Sequence, residues 1–234
     1  MRKKYQGGII ANVDSTNTHR IMIGVPLTGL VRAEWAMARY NQATPTNWSV
    51  NDMVAWLDQT SPLRFTVPNA RNLIVQKAIE GEYEWLFFLD HDVILPPLSL
   101  IKLNTHMRSG KYPILNGLYF TKSKPAEPLI YRGAGTGCCD DWKLGEIVWA
   151  DGAGMGCTLI HRSILKAIWS ESAEYTINNM TARQVFRNPL EHKYDEKTGS
   201  WGMLTGTEDL DFYKRLTSLG IYKKAGWPEF QKML

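Results

Sequence analysis

Cysteine is scarce in this sequence, with three residues among 234, Cys138, Cys139 and Cys157. The number is odd and no pair has the Cys-x-x-Cys spacing, which argues against both a zinc site and a disulfide framework. We therefore expect reduced thiols, as in a cytoplasmic protein.

The sequence also lacks a long apolar run and a strong charge. No stretch approaches the roughly 20 apolar residues that cross a bilayer, and the N-terminal residues lack the apolar core of a signal peptide. The formal net charge is +4, and the basic residues are scattered except at Arg2–Lys4 and Lys223–Lys224. This pattern argues against a nucleic-acid groove and suits small anionic ligands better.

The residues that are present can build a substantial core, since 44% are hydrophobic and 21% are charged. Apolar segments of strand and helix length alternate along the chain, which predicts repeated β/α units in a single α/β domain with a mostly parallel central sheet. We predict strands at 20–26, 86–89 and 114–120 and helices at 31–40, 68–79, 98–107 and 162–169. Residues 1–19 are expected to form an arm or an edge strand.

The most informative stretch is Trp85–Val93, in which four large apolar residues are followed by Asp90 and Asp92. Such a run is typical of a strand buried on both faces. Burying two unpaired carboxylates is costly, so the strand should leave the core at Asp90 and meet solvent, a cation or both. Asp-x-Asp at the carboxyl end of a central strand indicates a site for Mg²⁺ or Mn²⁺ with a diphosphate. A single Asp here could be an ordinary cap at a strand-to-helix turn, but the pair favours metal or phosphate chemistry.

Two further charged motifs accompany this pair. Arg71 follows Pro68 near the start of a predicted helix, where it can pair with a phosphate or with a core carboxylate. Thr207 is a good N-cap for a later helix, and Glu208 and Asp209 suit the first turn of that helix. Capping alone could explain these acids, but they also supply the base that a transferase needs.

Glycines at three alternate positions, Gly152, Gly154 and Gly156, remove side chains along one face of the chain. A ligand or another backbone can approach closely there, and a bulged strand is the alternative explanation. The stretch is neither a Walker loop nor a GxGxxG motif. A nucleotidyltransferase is not indicated either, because the chain has no N-terminal glycine-rich, lysine-containing phosphate loop.

Together these motifs resemble those of the nucleotide-sugar-dependent glycosyltransferases of the GT-A fold, particularly the inverting family 2, which includes cellulose and chitin synthases. The resemblance spans roughly residues 20 to 225. The matching segments, in chain order, are Ile23–Pro26, Ala70–Asn72, Phe88–Asp92, Gly152–Gly154 and Thr207–Asp209. The resemblance implies a Rossmann-like GT-A domain over residues 20–234, with a nucleotide-binding half at about 20–120 and an acceptor and catalytic half at about 121–225.

The resemblance also implies roles for the acids. Asp92, with Asp90, would bind Mn²⁺ or Mg²⁺ that bridges the two phosphates of a UDP- or GDP-sugar and stabilises the leaving nucleoside diphosphate. Asp209 would take the proton from the acceptor hydroxyl, and the anomeric carbon would be inverted. Glu208 would position the acceptor or Asp209.

The donor would meet residues from several motifs. The residues near the nucleotide would be Pro26, Thr28, Arg71 and Asp90. Residues Gly152 to Gly154 would form the bottom of the sugar site. Acceptor contacts would come from residues 121–146 and 170–206, where Trp142 and Trp201 are candidate stacking platforms or packing residues. The first of these segments is predicted as a long loop or a pair of edge strands, and the second as a variable insertion.

This chain departs from the family in one metal ligand. Many relatives have a further His after the acidic helix, whereas the last His here is His192. Either the chain stops short of that element, or water and phosphates complete the shell, or metal binding is weak. A QxxRW-like motif and transmembrane helices are missing too, which argues against a processive polymer synthase.

Two rival functions remain open. The strand followed by Asp90-His91-Asp92-Val93 also fits the haloacid-dehalogenase phosphatases, in which the first Asp is a phosphorylated nucleophile. That motif normally lies on the first strand, however, and here a strand and a helix precede it. A sugar-nucleotide-binding or carbohydrate-binding protein without turnover is the second rival, although binding alone does not require a base at Asp209.

Overall fold

The computed structural model describes residues 21–27, 29–45, 65–133, 137–139, 141–195 and 199–228. The strands are β1 (Ile21–Gly24), β2 (Trp85–Leu89), β3 (Ile114–Asn116), β4 (Ile130–Arg132), β5 (Gly137–Cys138), β6 (Gly152–Ala153), β7 (Cys157–His161), β8 (Glu174–Ile177), β9 (Met180–Arg183), β10 (Leu190–Asp195) and β11 (Ser200–Thr205). The helices are α1 (Ala33–Tyr40), α2 (Val67–Glu80), α3 (Ser99–Ser109), α4 (Arg162–Ser170), α5 (Glu208–Ser218) and α6 (Ile221–Lys224). The prediction of a mixed α/β protein is confirmed.

A four-stranded sheet in the order β1-β2-β7-β3 forms the centre of the described part of the chain. Every residue of β1 and β2 is buried, which confirms that the apolar run before Asp90 is covered on both faces. Helix α2 packs on β1 and β2, and α4 packs on β7 and α2. The core therefore lies between this sheet and the helices that connect its strands.

The prediction of a mostly parallel sheet is wrong for the described residues. Only β1 and β2 pair in parallel, whereas β7 pairs antiparallel with both β2 and β3. The chain leaves β3 at the edge where β1 and β2 also end, and it forms β4 to β6 before β7 begins. The described residues between β3 and β7 contain no helix that carries the chain back to the opposite edge, and β7 accordingly enters the sheet in the reverse direction.

Two segments that lacked a clear pattern contain regular structure. Residues 121–146 contribute β4 and β5 to a three-stranded sheet with β6, in agreement with the edge-strand alternative. The predicted insertion at 170–206 contains two antiparallel hairpins, β8-β9 and β10-β11. The predicted arm at 1–19, Thr28 and the side chain of Trp201 lie outside the described residues. Within the described ranges, no helix is both long and apolar enough to cross a membrane.

Candidate functional site

The candidate site begins where β2 leaves the core. Asp90 follows the last residue of β2, and its backbone N–H donates to the carbonyl of Gly156 at 2.9 Å. The indole N–H of Trp35, on α1, donates to the carbonyl of Asp90 at 2.9 Å. These two bonds from distant parts of the chain fix the backbone of Asp90 at the edge of the sheet.

Arg71 reaches the same point from α2. Because α2 leads into β2 and β2 runs parallel to β1, the N-terminus of this helix lies at the carboxyl edge of both strands. The Arg71 side chain is 2% exposed, and its Nη2 donates to both carboxylate oxygens of Asp90 at 3.1 Å. Its Nη1 donates to Glu208 Oε1 at 2.8 Å and to Asp209 Oδ1.

These four residues, Arg71, Asp90, Glu208 and Asp209, form what we call the Arg71 cluster. It joins motifs that are 19, 137 and 138 residues apart in the sequence. Sequence reasoning left open whether Arg71 pairs with a phosphate or with a core carboxylate, and the structure shows the carboxylate partners. Three carboxylates surround one guanidinium, so the fully ionised cluster carries two negative charges in excess.

Burial and charge act in opposite directions on the titration of this cluster. Burial raises the pKa of Asp90 and that of Asp209 above their ordinary value of 3.8, and the attraction of Arg71 only partly offsets it. Burial by itself would lower the pKa of Arg71, but the carboxylates outweigh it and the pKa is raised. Arg71 is therefore a permanent cation, whereas Asp90 and Asp209 bind protons more readily than exposed aspartates do.

The orientation of Asp209 is fixed from both sides. It lies in the first turn of α5, and its Oδ2 accepts the backbone N–H of Met155 at 3.0 Å while its Oδ1 faces Arg71. Thr207 is the N-cap residue of α5, as predicted, but its side chain makes no capping hydrogen bond. The carboxylate of Asp209 is thus held by the glycine-containing turn and by Arg71 together.

The close approach at the alternate glycines is made by this chain itself. A Cβ at Gly152 would lie 2.7 Å from Cδ2 of Leu210 on α5. A Cβ at Gly154 would lie 2.8 Å from the ring carbon Cζ of Tyr119 and closer still to its hydroxyl oxygen. All three glycines are buried, so a role of Gly152 and Gly154 against a ligand stays a prediction.

Tyr119 is a residue of this site that sequence reasoning missed. Its hydroxyl oxygen accepts the N–H of Gly156 at 2.8 Å, and Gly156 in turn accepts from Asp90. Tyr119 follows β3, which runs in the same direction as β2 and ends at the same edge of the sheet. A polar aromatic residue just after that strand is the signal that could have identified it.

A buried hydrogen-bond network below the glycines was missed as well. Tyr213, one helical turn beyond Asp209, donates to Asn116 Oδ1 at 2.9 Å. The Asn116 amide donates to the Gly154 carbonyl at 3.2 Å and to Thr158 Oγ1 at 2.6 Å. The network ties α5, β3 and β7 to the turn that holds Asp209.

Asp92 lies apart from the Arg71 cluster. Its side chain is 36% exposed and forms an ion pair with the exposed Lys122, whose Nζ lies 2.7 Å from Oδ2. Burial would raise the pKa of Asp92, but the Lys122 hydrogen bond and charge outweigh it and the pKa is lowered. Between the two acids, His91 Nδ1 is 3.3 Å from the carbonyl oxygen of Pro26, which places Pro26 beside the motif.

The predicted donor set for a metal is only partly available. Both oxygens of Asp90 accept from Arg71, which leaves the partly exposed Asp92 as the more accessible ligand. In the part of the chain that the structure describes, no group of three or more His, Cys, Asp or Glu side chains is placed to hold a metal ion. The metal therefore stays a prediction, and Asp92 with phosphate and water oxygens is the donor set that fits it.

We expect Gly154→Ala to lower the free energy of unfolding more than Gly152→Ala does. At Gly154 the added methyl group meets the Tyr119 ring, which a backbone hydrogen bond holds in place, and such overpacking costs about 1–3 kcal/mol. At Gly152 it meets the end of a leucine side chain that can change rotamer, so Gly152→Ala is the matched control. Urea unfolding of both variants measures the difference. An equal or smaller loss at Gly154 would show that Tyr119 does not restrict this turn.

The raised pKa of Asp209 predicts how stability depends on pH. An unfolded chain has the ordinary pKa of 3.8, and burial raises it in the folded protein, so the folded state binds the proton more tightly. The stability that this group contributes is present below that ordinary pKa and is lost as the pH rises through the folded pKa. Relative to wild type, the free energy of unfolding of Asp209→Asn should therefore increase as pH rises from 3.8 toward neutrality. Urea titrations at several pH values test this, and a difference that stays constant or falls contradicts it.

No protein-family model matches the chain, and no curated protein matches it. A solved structure described as the crystal structure of A197 from STIV aligns over 83% of this chain and 76% of its own. The two sequences are 20% identical and the TM-score is 0.47, so no functional argument rests on this likeness.

Proposed function

We propose that this protein is a GT-A-type glycosyltransferase that moves a sugar from a nucleoside-diphosphate sugar to an acceptor hydroxyl with inversion. The observation that carries the proposal is the convergence of Arg71, the Asp-x-Asp motif and the Glu208-Asp209 pair at the carboxyl edge of β2. Ligands of open α/β sheets bind at this edge. An acidic cluster with excess negative charge and raised aspartate pKa values is typical of a functional site.

The donor is proposed to lie along the edge from Pro26 to Asp92. Asp92 is partly exposed, and its ion pair with Lys122 is a surface pair that contributes little to stability. Mn²⁺ or Mg²⁺ held by Asp92, phosphate and water oxygens would neutralise the charge of the departing diphosphate. Lys122, once released from Asp92, has the charge and the length to contact a phosphate oxygen.

Asp209 is proposed as the general base. One of its oxygens accepts from Arg71 and the other from Met155, and each carboxylate oxygen retains a second lone pair for an acceptor hydroxyl. The acceptor oxygen forms the new bond to the anomeric carbon, the bond from that carbon to the phosphate oxygen breaks, and Asp209 takes the hydroxyl proton. The raised pKa of Asp209 brings the base closer to the operating pH, which favours proton transfer.

The geometry favours this function over a phosphatase that uses Asp90 as its nucleophile. Both Asp90 oxygens accept from the guanidinium of Arg71, which lowers the electron density available for attack on phosphorus. The side chain is also partly buried, and its own pKa is raised by that burial. A protein that only binds a sugar nucleotide does not need a base, whereas Asp209 is held in place by two bonds from different elements and keeps lone pairs that can accept a proton.

Thermal unfolding with UDP, GDP, ADP or CDP, each with and without Mn²⁺, tests the donor site without an acceptor. A ligand at 100 times its Kd stabilises the folded state by about 2.7 kcal/mol, which raises the Tm of a chain of this size by about 5–10 °C. We expect one diphosphate to produce such a rise only with Mn²⁺, and Asp92→Ala to abolish it. Asp141→Ala, a change at another exposed aspartate, should retain the rise.

The same experiment separates the rival functions. A Tm that no nucleotide changes, but that rises with Mg²⁺ and beryllofluoride, would contradict the transferase proposal and favour the phosphatase. A rise with a nucleoside diphosphate that is independent of both Mn²⁺ and Asp92 would leave a nucleotide site but remove the metal from the proposal.

A further inference from the structure

The hydroxyl group of Tyr119 lies inside the candidate site and has no assigned role there. It lies beside Gly154 and Gly156, and Asp90 and Asp209 both act on it electrostatically. An ideal Cβ built on Gly156 would lie 2.8 Å from Asp90 Oδ2 and 2.9 Å from the Tyr119 hydroxyl oxygen. The Asp90 carboxylate and the phenol therefore approach the same small volume next to the backbone of Gly156.

Among the residues that the structure describes, the hydrogen of this hydroxyl group has no acceptor. The oxygen already accepts the N–H of Gly156 at 2.8 Å, so the remaining capacity of the group includes its own O–H as a donor. Within the ranges that the structure describes, the Gly156 bond is the only hydrogen bond of the Tyr119 side chain. Burial raises the pKa of Tyr119, so the hydrogen stays on the oxygen at neutral pH.

We propose that the Tyr119 hydroxyl donates a hydrogen bond to a hydroxyl oxygen of the transferred sugar and thereby helps to select the donor sugar. This inference rests on the proposed function and adds a sugar-contacting residue to it. The Gly156 N–H fixes the direction of the phenol before the donor arrives, which lowers the entropy lost on binding.

The position and charge of the site favour the sugar over the diphosphate as the partner of Tyr119. The proposed diphosphate position is at Asp92, whereas the charged groups that act on Tyr119 are Asp90, Asp209 and Arg71. In an inverting transfer the sugar must lie between the leaving diphosphate and the base, which is Asp209 here. A phosphate beside Asp90 and Asp209 would be repelled, but an uncharged sugar hydroxyl is not.

Isothermal titration tests this with UDP and GDP against UDP-glucose, UDP-N-acetylglucosamine and GDP-mannose, in the presence of Mn²⁺. Tyr119→Phe keeps the ring and removes only the hydroxyl group. We expect this variant to bind the nucleotide sugar that wild type binds best about tenfold more weakly than wild type does. Its affinity for the matching diphosphate should fall by less than about twofold. Tyr112→Phe is the matched control, because within the described part of the chain the hydroxyl group of Tyr112 makes no hydrogen bond.

Each outcome has a defined meaning. If Tyr119→Phe lost the same affinity for the diphosphate as for the nucleotide sugar, the inference would be overturned, because Tyr119 would then act only by supporting the Gly156 turn. Unchanged binding of both would overturn it as well. If wild type binds none of these ligands and no nucleoside diphosphate raises its Tm, the proposed function fails and this inference fails with it.

A second arm begins with a measurement that needs only the wild-type protein. Single-deoxy analogues of the nucleotide sugar that wild type binds best should include one that binds wild type about tenfold more weakly. In Tyr119→Phe, the same analogue should bind as well as the complete nucleotide sugar. Wild-type affinity that no deoxy position affects would overturn the inference.

Discussion

Asp209→Asn should reduce turnover by about 100-fold to 10,000-fold while the protein stays folded. Asparagine has nearly the same shape, and its amide oxygen can still accept the N–H of Met155. It cannot take a proton from the attacking hydroxyl, so the loss appears in kcat and not in donor binding. The measurement is the rate of nucleoside diphosphate release from the nucleotide sugar that stabilises the protein, with water as the acceptor.

Asp141→Asn is the matched control for this prediction, because that residue is exposed and lies outside the Arg71 cluster. Its turnover should equal that of wild type. If Asp209→Asn retained turnover within about threefold of wild type, Asp209 would not be the base. The acids of α5 would then serve only to pair Arg71 and to complement the helix dipole.

Arg71→Met should destabilise the fold by about 3–5 kcal/mol at neutral pH. The variant keeps an apolar side chain of similar length between Phe88 and Phe186, whose ring centres each lie 5.9 Å from the guanidinium carbon. It removes the cation that balances three partly buried carboxylates and leaves them to repel one another. Urea unfolding at pH 7 measures the loss.

The pH dependence of the Arg71→Met effect identifies its cause. Protonation of Asp90 and Asp209 removes the repulsion, so the loss of stability should shrink as the pH is lowered toward 4. Arg108→Met, a change at an exposed arginine of α3, should alter stability by no more than about 0.5 kcal/mol. A loss at Arg71 that is below about 1 kcal/mol, or independent of pH, would show that the cluster is not electrostatically coupled.

The parts of the fold that could be predicted are those that local pattern determines. The buried run Leu86 to Leu89 forms β2, and Pro68 and Thr207 lie at the starts of α2 and α5. Asp90, Arg71 and Asp209 were singled out individually because charged groups at the ends of buried elements need partners. Their convergence was expected only through the family resemblance, since spacing in sequence does not state which ends of which elements meet.

The remaining features depend on long-range pairing. The reversed direction of β7 follows from the excursion through β4 to β6, which has no periodic pattern. The sequence leaves open whether a ligand or another backbone approaches the alternate glycines, because a missing side chain does not tell which neighbour fills the space, and in the structure the neighbour of Gly154 is the side chain of Tyr119. Asp90 and Asp92 belong to one Asp-x-Asp motif in the sequence, but of the two only Asp90 pairs with Arg71 in the structure.

The most direct test of the proposed function is a crystal structure of the protein with Mn²⁺ and the nucleoside diphosphate that raises its Tm, with data collected for the anomalous signal of manganese. If Asp92 holds the metal, we expect an anomalous peak within coordination distance of Asp92, a diphosphate bound to that ion, and the nucleoside beside Pro26. An anomalous peak and diphosphate density that are both remote from Asp92 and from the Arg71 cluster would contradict it.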